Sequence, residues 1–168
     1  MPEFTNLKDL ARYVGTNSGG VLLSRPEMKA ILKLELERLE DYIKEELQVY
    51  FDSYKPTVYK RTGNTERSIT LNAPFVDGKD LCAEITFDDT LANHPSVMNS
   101  KNKQHPDGYT PWLLQRGWNI TDSVQPRVDM FTDHPGSQYI TKAVKRFNDT
   151  NKYGIQVAVF MNGEEIQL

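Results

Sequence analysis

The chain has 168 residues, a formal net charge of −3, 38% hydrophobic residues and 26% charged ones. That is the size of one folded domain whose core needs no covalent staple, and the mildly acidic balance argues against a dedicated nucleic-acid binder. Cys82 is the single cysteine, which excludes an internal disulfide and a four-cysteine zinc site.

Met1-Pro2-Glu3-Phe4 carries neither a basic n-region nor an apolar h-region, so no signal peptide is expected. The apolar runs are too short to cross a bilayer. Phe4 to Tyr13 suits a short helix capped by Thr5, and Gly15-Thr16-Asn17-Ser18-Gly19-Gly20 then breaks any pattern. Residues 1–24 are therefore expected to form an N-terminal arm, and residues 25–168 a single domain.

Ser24-Arg25-Pro26-Glu27 has the form of a capping box with proline in the first turn. Met28, Leu32, Leu36, Leu39, Ile43, Leu47, Tyr50 and Tyr54 then recur at spacings of three and four. They predict one apolar stripe along a helix of about seven turns, widened by Ile31 and Leu34. Glu40 and Lys44 are ordered for an i,i+4 ion pair. Lys55-Pro56 ends the helix, because the residue before proline is forced out of the α region.

Thr62 is placed to cap a short turn running through Glu66. Ile69 to Val76 reads as a strand, Asp77-Gly78-Lys79-Asp80 as a hairpin turn, and Leu81, Ala83, Ile85 and Phe87 as the inward positions of a returning strand. Asp89 to Thr110 is long and polar with no regular pattern in its centre, a feature that tends to be functional in a compact domain. Pro111 to Gly117 predicts a short helical turn stopped by glycine, with Trp112, Leu113 and Trp118 as anchors. Phe131 to Pro135 reads as a loop. Gly136 to Thr150 predicts an amphipathic helix with Tyr139, Ile140, Ala143, Val144 and Phe147 inward and Lys142, Lys145 and Arg146 outward. Gly154 to Met161 reads as a strand buried on both faces. Asn162-Gly163 is a tight-turn signal, after which Glu164 to Leu168 can fold back. The elements add up to an α+β fold.

Chemistry is sparsely signalled. His94, His105 and His134 each precede a proline, at spacings that match no ligand motif. No Gly-x-Ser-x-Gly elbow, P-loop or Gly-x-Gly-x-x-Gly is present, so no catalytic residue, metal site or cofactor is expected. Cys82 inside a strand pattern reads as a packing residue. Lys55, Lys60, Arg61 and Arg67, interleaved with Tyr54 and Tyr59, form one local basic and aromatic cluster.

Several blocks, taken in order, resemble the tail-completion or minor structural proteins of siphophages and related prophages. They are Tyr54-Lys55-Pro56, Tyr59-Lys60-Arg61-Thr62, Ser68-Ile69, His94-Pro95-Ser96, Trp112-Leu113-Leu114, Gly117-Trp118, and Phe131-Thr132-Asp133-His134-Pro135-Gly136-Ser137 leading into the helix through Phe147. They span roughly residues 25 to 160. Thr65 stands where that family commonly has leucine. The resemblance implies a small antiparallel sheet packed by a long N-terminal and a C-terminal helix. It also implies a virion protein, present in the host cytoplasm during assembly, that forms a ring of identical subunits, commonly six. That ring would sit between the tail tube protein and the head connector protein, with no membrane and no specific nucleic acid as partner. His94, Met98, Lys101, Lys103, Tyr109, Trp112 and Trp118 are the expected protein contacts. Two other classes stay open on the residues alone: a metal-dependent hydrolase using His94, His105 and Asp133, and a small nucleic-acid-binding factor using Lys60, Arg61 and Arg67.

Overall fold

A computed structural model describes residues 25–53, 62–92, 109–119, 133–161 and 164–166. The fold is α+β. Helix α1 (Arg25–Asp52) runs for 28 residues, about 42 Å at the α-helical rise. A short helix α2 (Asn64–Arg67) leads into strand β1 (Ile69–Leu71), followed by β2 (Phe75–Asp77), β3 (Asp80–Cys82), β4 (Ile85–Phe87) and a single turn α3 (Asp89–Ala92). Helix α4 (Thr110–Arg116), strands β5 (Gly117–Asn119) and β6 (Asp133–Pro135), helix α5 (Tyr139–Asp149), and strands β7 (Val159–Met161) and β8 (Glu164–Ile166) complete the order. The predicted N-terminal arm, the Ser24 cap, the Lys55-Pro56 stop and the centre of the polar loop lie outside the described residues.

The core forms where α1 and α5 pack side by side. Leu39, Ile43 and Leu47 of α1 meet Tyr139, Ile140, Ala143, Val144 and Phe147 of α5, with Ile69, Leu114 and Met161 closing the cluster. The inward face of α5 is the one its 3.6-residue period predicts. The stripe of α1 holds from Leu36 to Leu47 but rotates near the N-terminus. There Ile31 is buried and Met28, expected inside, is 40% exposed.

Glu35 is also buried, which apolar spacing alone does not anticipate. Its carboxylate pairs with the Arg38 guanidinium. Arg38 in turn donates to the Thr150 hydroxyl at 2.6 Å, 112 residues away, and lies 4.6 Å from the centre of the Phe147 ring. A buried charge is tolerated only when paired in this way. The predicted Glu40–Lys44 pair is present at 2.7 Å.

The strands form four two-stranded antiparallel pairs rather than one continuous sheet among the described residues. β1 pairs with β4 and β2 with β3, so residues 69–87 make one hairpin. Its two legs are not the uninterrupted strands expected. Between Leu71↔Ile85 and Phe75↔Cys82, three residues (Asn72, Ala73, Pro74) face two (Ala83, Glu84). The extra residue is a bulge, placed where Pro74 has no N–H to give to a ladder. Gly78, at φ 58°, takes the first of two turn positions between Asp77 and Asp80, where a type II′ turn favours glycine.

Three further expectations are revised. Asp133–Pro135, read as loop, is strand β6, because β5 supplies a partner ladder. Asp89–Ala92, read as the start of the polar loop, is a helical turn. Asp88 initiates it by accepting from the Thr90 N–H at 2.8 Å and the Thr90 hydroxyl at 2.6 Å. The segment before Met161 is buried on one face only: Ile155, Val157 and Val159 are half-buried, alternating with exposed Gln156, Ala158 and Phe160. The β7–β8 register pairs Met161 with Glu164 and leaves residues 162 and 163 for the connection.

Candidate functional site

The expected contact residues within the described part lie on and beside helix α4: Tyr109 at its N-cap, Trp112 within it and Trp118 in the strand that follows. Pro111 stands in the first turn of α4, where a missing N–H costs little, and Gly117 ends it at φ 83°. One side of α4 is buried through Pro111, Leu114 and Gln115. On the other, Trp112 is half-buried with the Arg116 guanidinium 4.0 Å from its ring centre, an i,i+4 cation–π contact.

Gln115 fixes α4 to α5. Its Oε1 accepts from the Ile140 N–H at 2.9 Å, and its Nε2 donates to the Thr141 hydroxyl at 2.6 Å. Helix α5 has no side-chain cap of its own, and its N-cap residue Gln138 sits at φ 54°, a left-handed conformation that costs a non-glycine residue about 1 kcal/mol. Gln115 therefore supplies the missing cap from another helix.

The adjacent chain is held as closely. Ser137 donates its N–H (2.8 Å) and its hydroxyl (2.6 Å) to the Leu114 carbonyl, and the Gln138 N–H donates to the Gln115 carbonyl at 3.1 Å. Gly136 passes so near that a Cβ there would lie 2.4 Å from the Arg116 carbonyl carbon and the Gln115 oxygen. The Gly117↔Pro135 and Asn119↔Asp133 pairs of β5 and β6 continue the junction.

Two blocks that the sequence showed separately, Trp112 to Trp118 and Asp133 to Ser137, thus interlock as one clasp. Gln115 was not anticipated. A glutamine in a short apolar helix carries no sequence signal for capping a helix 25 residues away.

Tyr109 stands at the entrance of α4, edge-on to Phe87 with ring centres 6.5 Å apart. Burial, reinforced by the charge of Asp89, pushes its hydroxyl up to about 12. Tyr139 beneath it is fully buried, and burial raises its hydroxyl far above the usual tyrosine range. Both rings serve as packing groups.

Trp118 pairs with His134 through the β5–β6 backbone; its side chain lies outside the described part, as do His94, Met98, Lys101, Lys103 and His105. Of the basic cluster, Arg67 alone is described. Its guanidinium donates to the Thr62 carbonyl at 3.0 Å and to Asn64 Oδ1 at 2.5 Å, beside a depression lined by Lys44, Thr62, Gly63 and Glu66. Thr65 is buried in α2. Among the described residues, no three His, Cys, Asp or Glu side chains gather as metal ligands, and no helix is long and apolar enough to cross a membrane.

The β2–β3 end of the hairpin contrasts with the clasp. All three β2 residues are exposed, with Phe75 at 39% and Val76 at 42%. Residues opposite one another across a ribbon share a face. Phe75 and Cys82 therefore lie on one side, and Val76 and Leu81 on the other.

Comparison with protein-family models, with characterised proteins and with solved structures finds no match for this chain.

Proposed function

We propose that this chain is a structural subunit of a long-tailed bacteriophage virion. In this reading it completes the tail and joins it to the head connector as a hexameric ring. The observation that carries the reading is the β2–β3 ribbon, which has apolar residues on both faces and no third strand beside it among the described residues. A two-stranded ribbon alone is marginal in water, and its open edges and exposed apolar side chains favour burial by another chain. The clasp adds support. It fixes the C-terminal part of α4 to the start of α5, so Trp112 stands on a rigid base. His94, Met98, Lys101, Lys103, Tyr109, Trp112 and Trp118 are the residues assigned to contacts within that assembly.

The test is a Trp118→Ala substitution in the virus or prophage that carries the gene. Electron microscopy of lysates is expected to show filled heads and separate tails. Complete particles at wild-type yield, together with their absence of this chain by mass spectrometry, would remove the proposal.

A further inference from the structure

The ribbon and the outer face of α5 carry matching charge at matching spacing. Asp77 and Asp80 are directly opposed at the end of the ribbon, on the same face as Phe75 and Cys82. Like charges so placed repel across about 5 Å. Lys79 in the turn makes no ion pair with either among the described residues. On α5, Lys142 and Lys145 are exposed and outnumber Asp149, the carboxylate one turn on. They too are without an ion pair among the described residues. Side chains three apart on a helix lie about 5–6 Å from each other. Two ammonium groups can therefore meet two carboxylates together, while the lysine stems cover the Phe75 ring.

We propose that the β2–β3 ribbon of one copy docks by its Phe75–Asp77–Asp80–Cys82 face onto the outer surface of α5 of a second copy. This rests on the assembly reading and names the subunit contact within it. The two patches differ, so the contact is head-to-tail, the kind that repeats around a ring where the rotation between copies closes. A ribbon on a single helix falls short of the area of a stable interface, so the contact adds to others once copies are gathered at one place.

Cys82 provides the test, because it lies on the docking face and is half-buried rather than enclosed. The full-length Lys145→Cys chain, concentrated and treated with a short bis-maleimide, is expected to give intermolecular products linking Cys82 to position 145. Peptide mapping identifies the link. Lys33→Cys, on an exposed site of α1, serves as the control. Adding Asp77→Lys and Asp80→Lys is expected to lower the yield about tenfold. A Lys142→Glu chain bearing cysteine at 145 is expected to recover the yield when mixed with the reversed ribbon. Equal linking by the control, no link between these positions, or indifference to charge reversal overturns the docking. Micrographs of rings built from the reversed-ribbon chain would overturn the docking while leaving the assembly reading standing.

Discussion

The clasp between α4 and α5 and the β2–β3 ribbon use polar and apolar residues in opposite ways. In the clasp, Gln115, Ser137 and backbone carbonyls satisfy one another at 2.6–3.1 Å, and Gly136 leaves no space for a side chain. In the ribbon, Phe75 and Val76 are exposed and two aspartates face each other. A region whose groups are all used internally belongs to folding. The ribbon leaves apolar area exposed and like charge facing like charge, which its own fold does not compensate among the described residues. The comparison adds the hairpin to the surfaces on which the proposed assembly reading rests.

The contrast can be broken most severely at Gly136. A Gly136→Ala chain must move backbone atoms now 2.4 Å from the new Cβ, so a loss of about 3 kcal/mol or more is expected, roughly 10 °C in Tm by calorimetry. Arg38→Met should cost about 3 kcal/mol, because Glu35 is then left buried without its partner. Restoration by a second change, Glu35→Leu, in a urea titration would show that the unpaired charge was the cause. Gln115→Ala removes the cap from the Ile140 N–H and should cost about 1–2 kcal/mol. Gln115→Glu keeps the acceptor and should recover part of it.

At the ribbon, Phe75→Ser combined with Val76→Thr should change stability by less than about 0.5 kcal/mol while reducing self-association in sedimentation. A large fall in Tm instead would mean that the ribbon belongs to the folding unit.

Alkaline pH sharpens the same contrast. The Tyr109 hydroxyl is raised from 10.0 to about 12 in the folded chain. Its neutral form is favoured by folding, so that contribution is complete below pH 10 and is lost as pH rises through 12. Unfolding should therefore become easier across that window, with Tyr109 and Tyr139 the last to ionise in an absorbance titration. Asp88 acts in the opposite sense. The Thr90 hydroxyl and N–H hold its carboxyl below 3.8, so its contribution is present above that value and fades as pH falls through the folded one.

Much of the scaffold was legible before the structure. The period of Leu36, Leu39, Ile43 and Leu47 identified α1, and that of Tyr139 to Phe147 identified the buried face of α5, because helical burial repeats locally. The Asp77 to Asp80 turn was legible for the same reason. The strand β6 was missed because His134 and Pro135 have little strand preference and owe their conformation to β5. The bulge at Pro74 was missed because a proline in a strand pattern does not say which partner residue goes unmatched. Of the expected contact residues, Tyr109 and Trp112 are packed beside Phe87 and Arg116. The exposed Phe75 and Val76 had read as ordinary strand residues.

By itself the sequence determined the two principal helices, the α+β class and the hairpin turn, since each follows from neighbours a few residues apart. Only the tertiary structure decided that Glu35 is buried, that Gln115 caps a helix far along the chain, and that the ribbon ends uncovered. These depend on which distant groups satisfy or shield one another, and no local period encodes that.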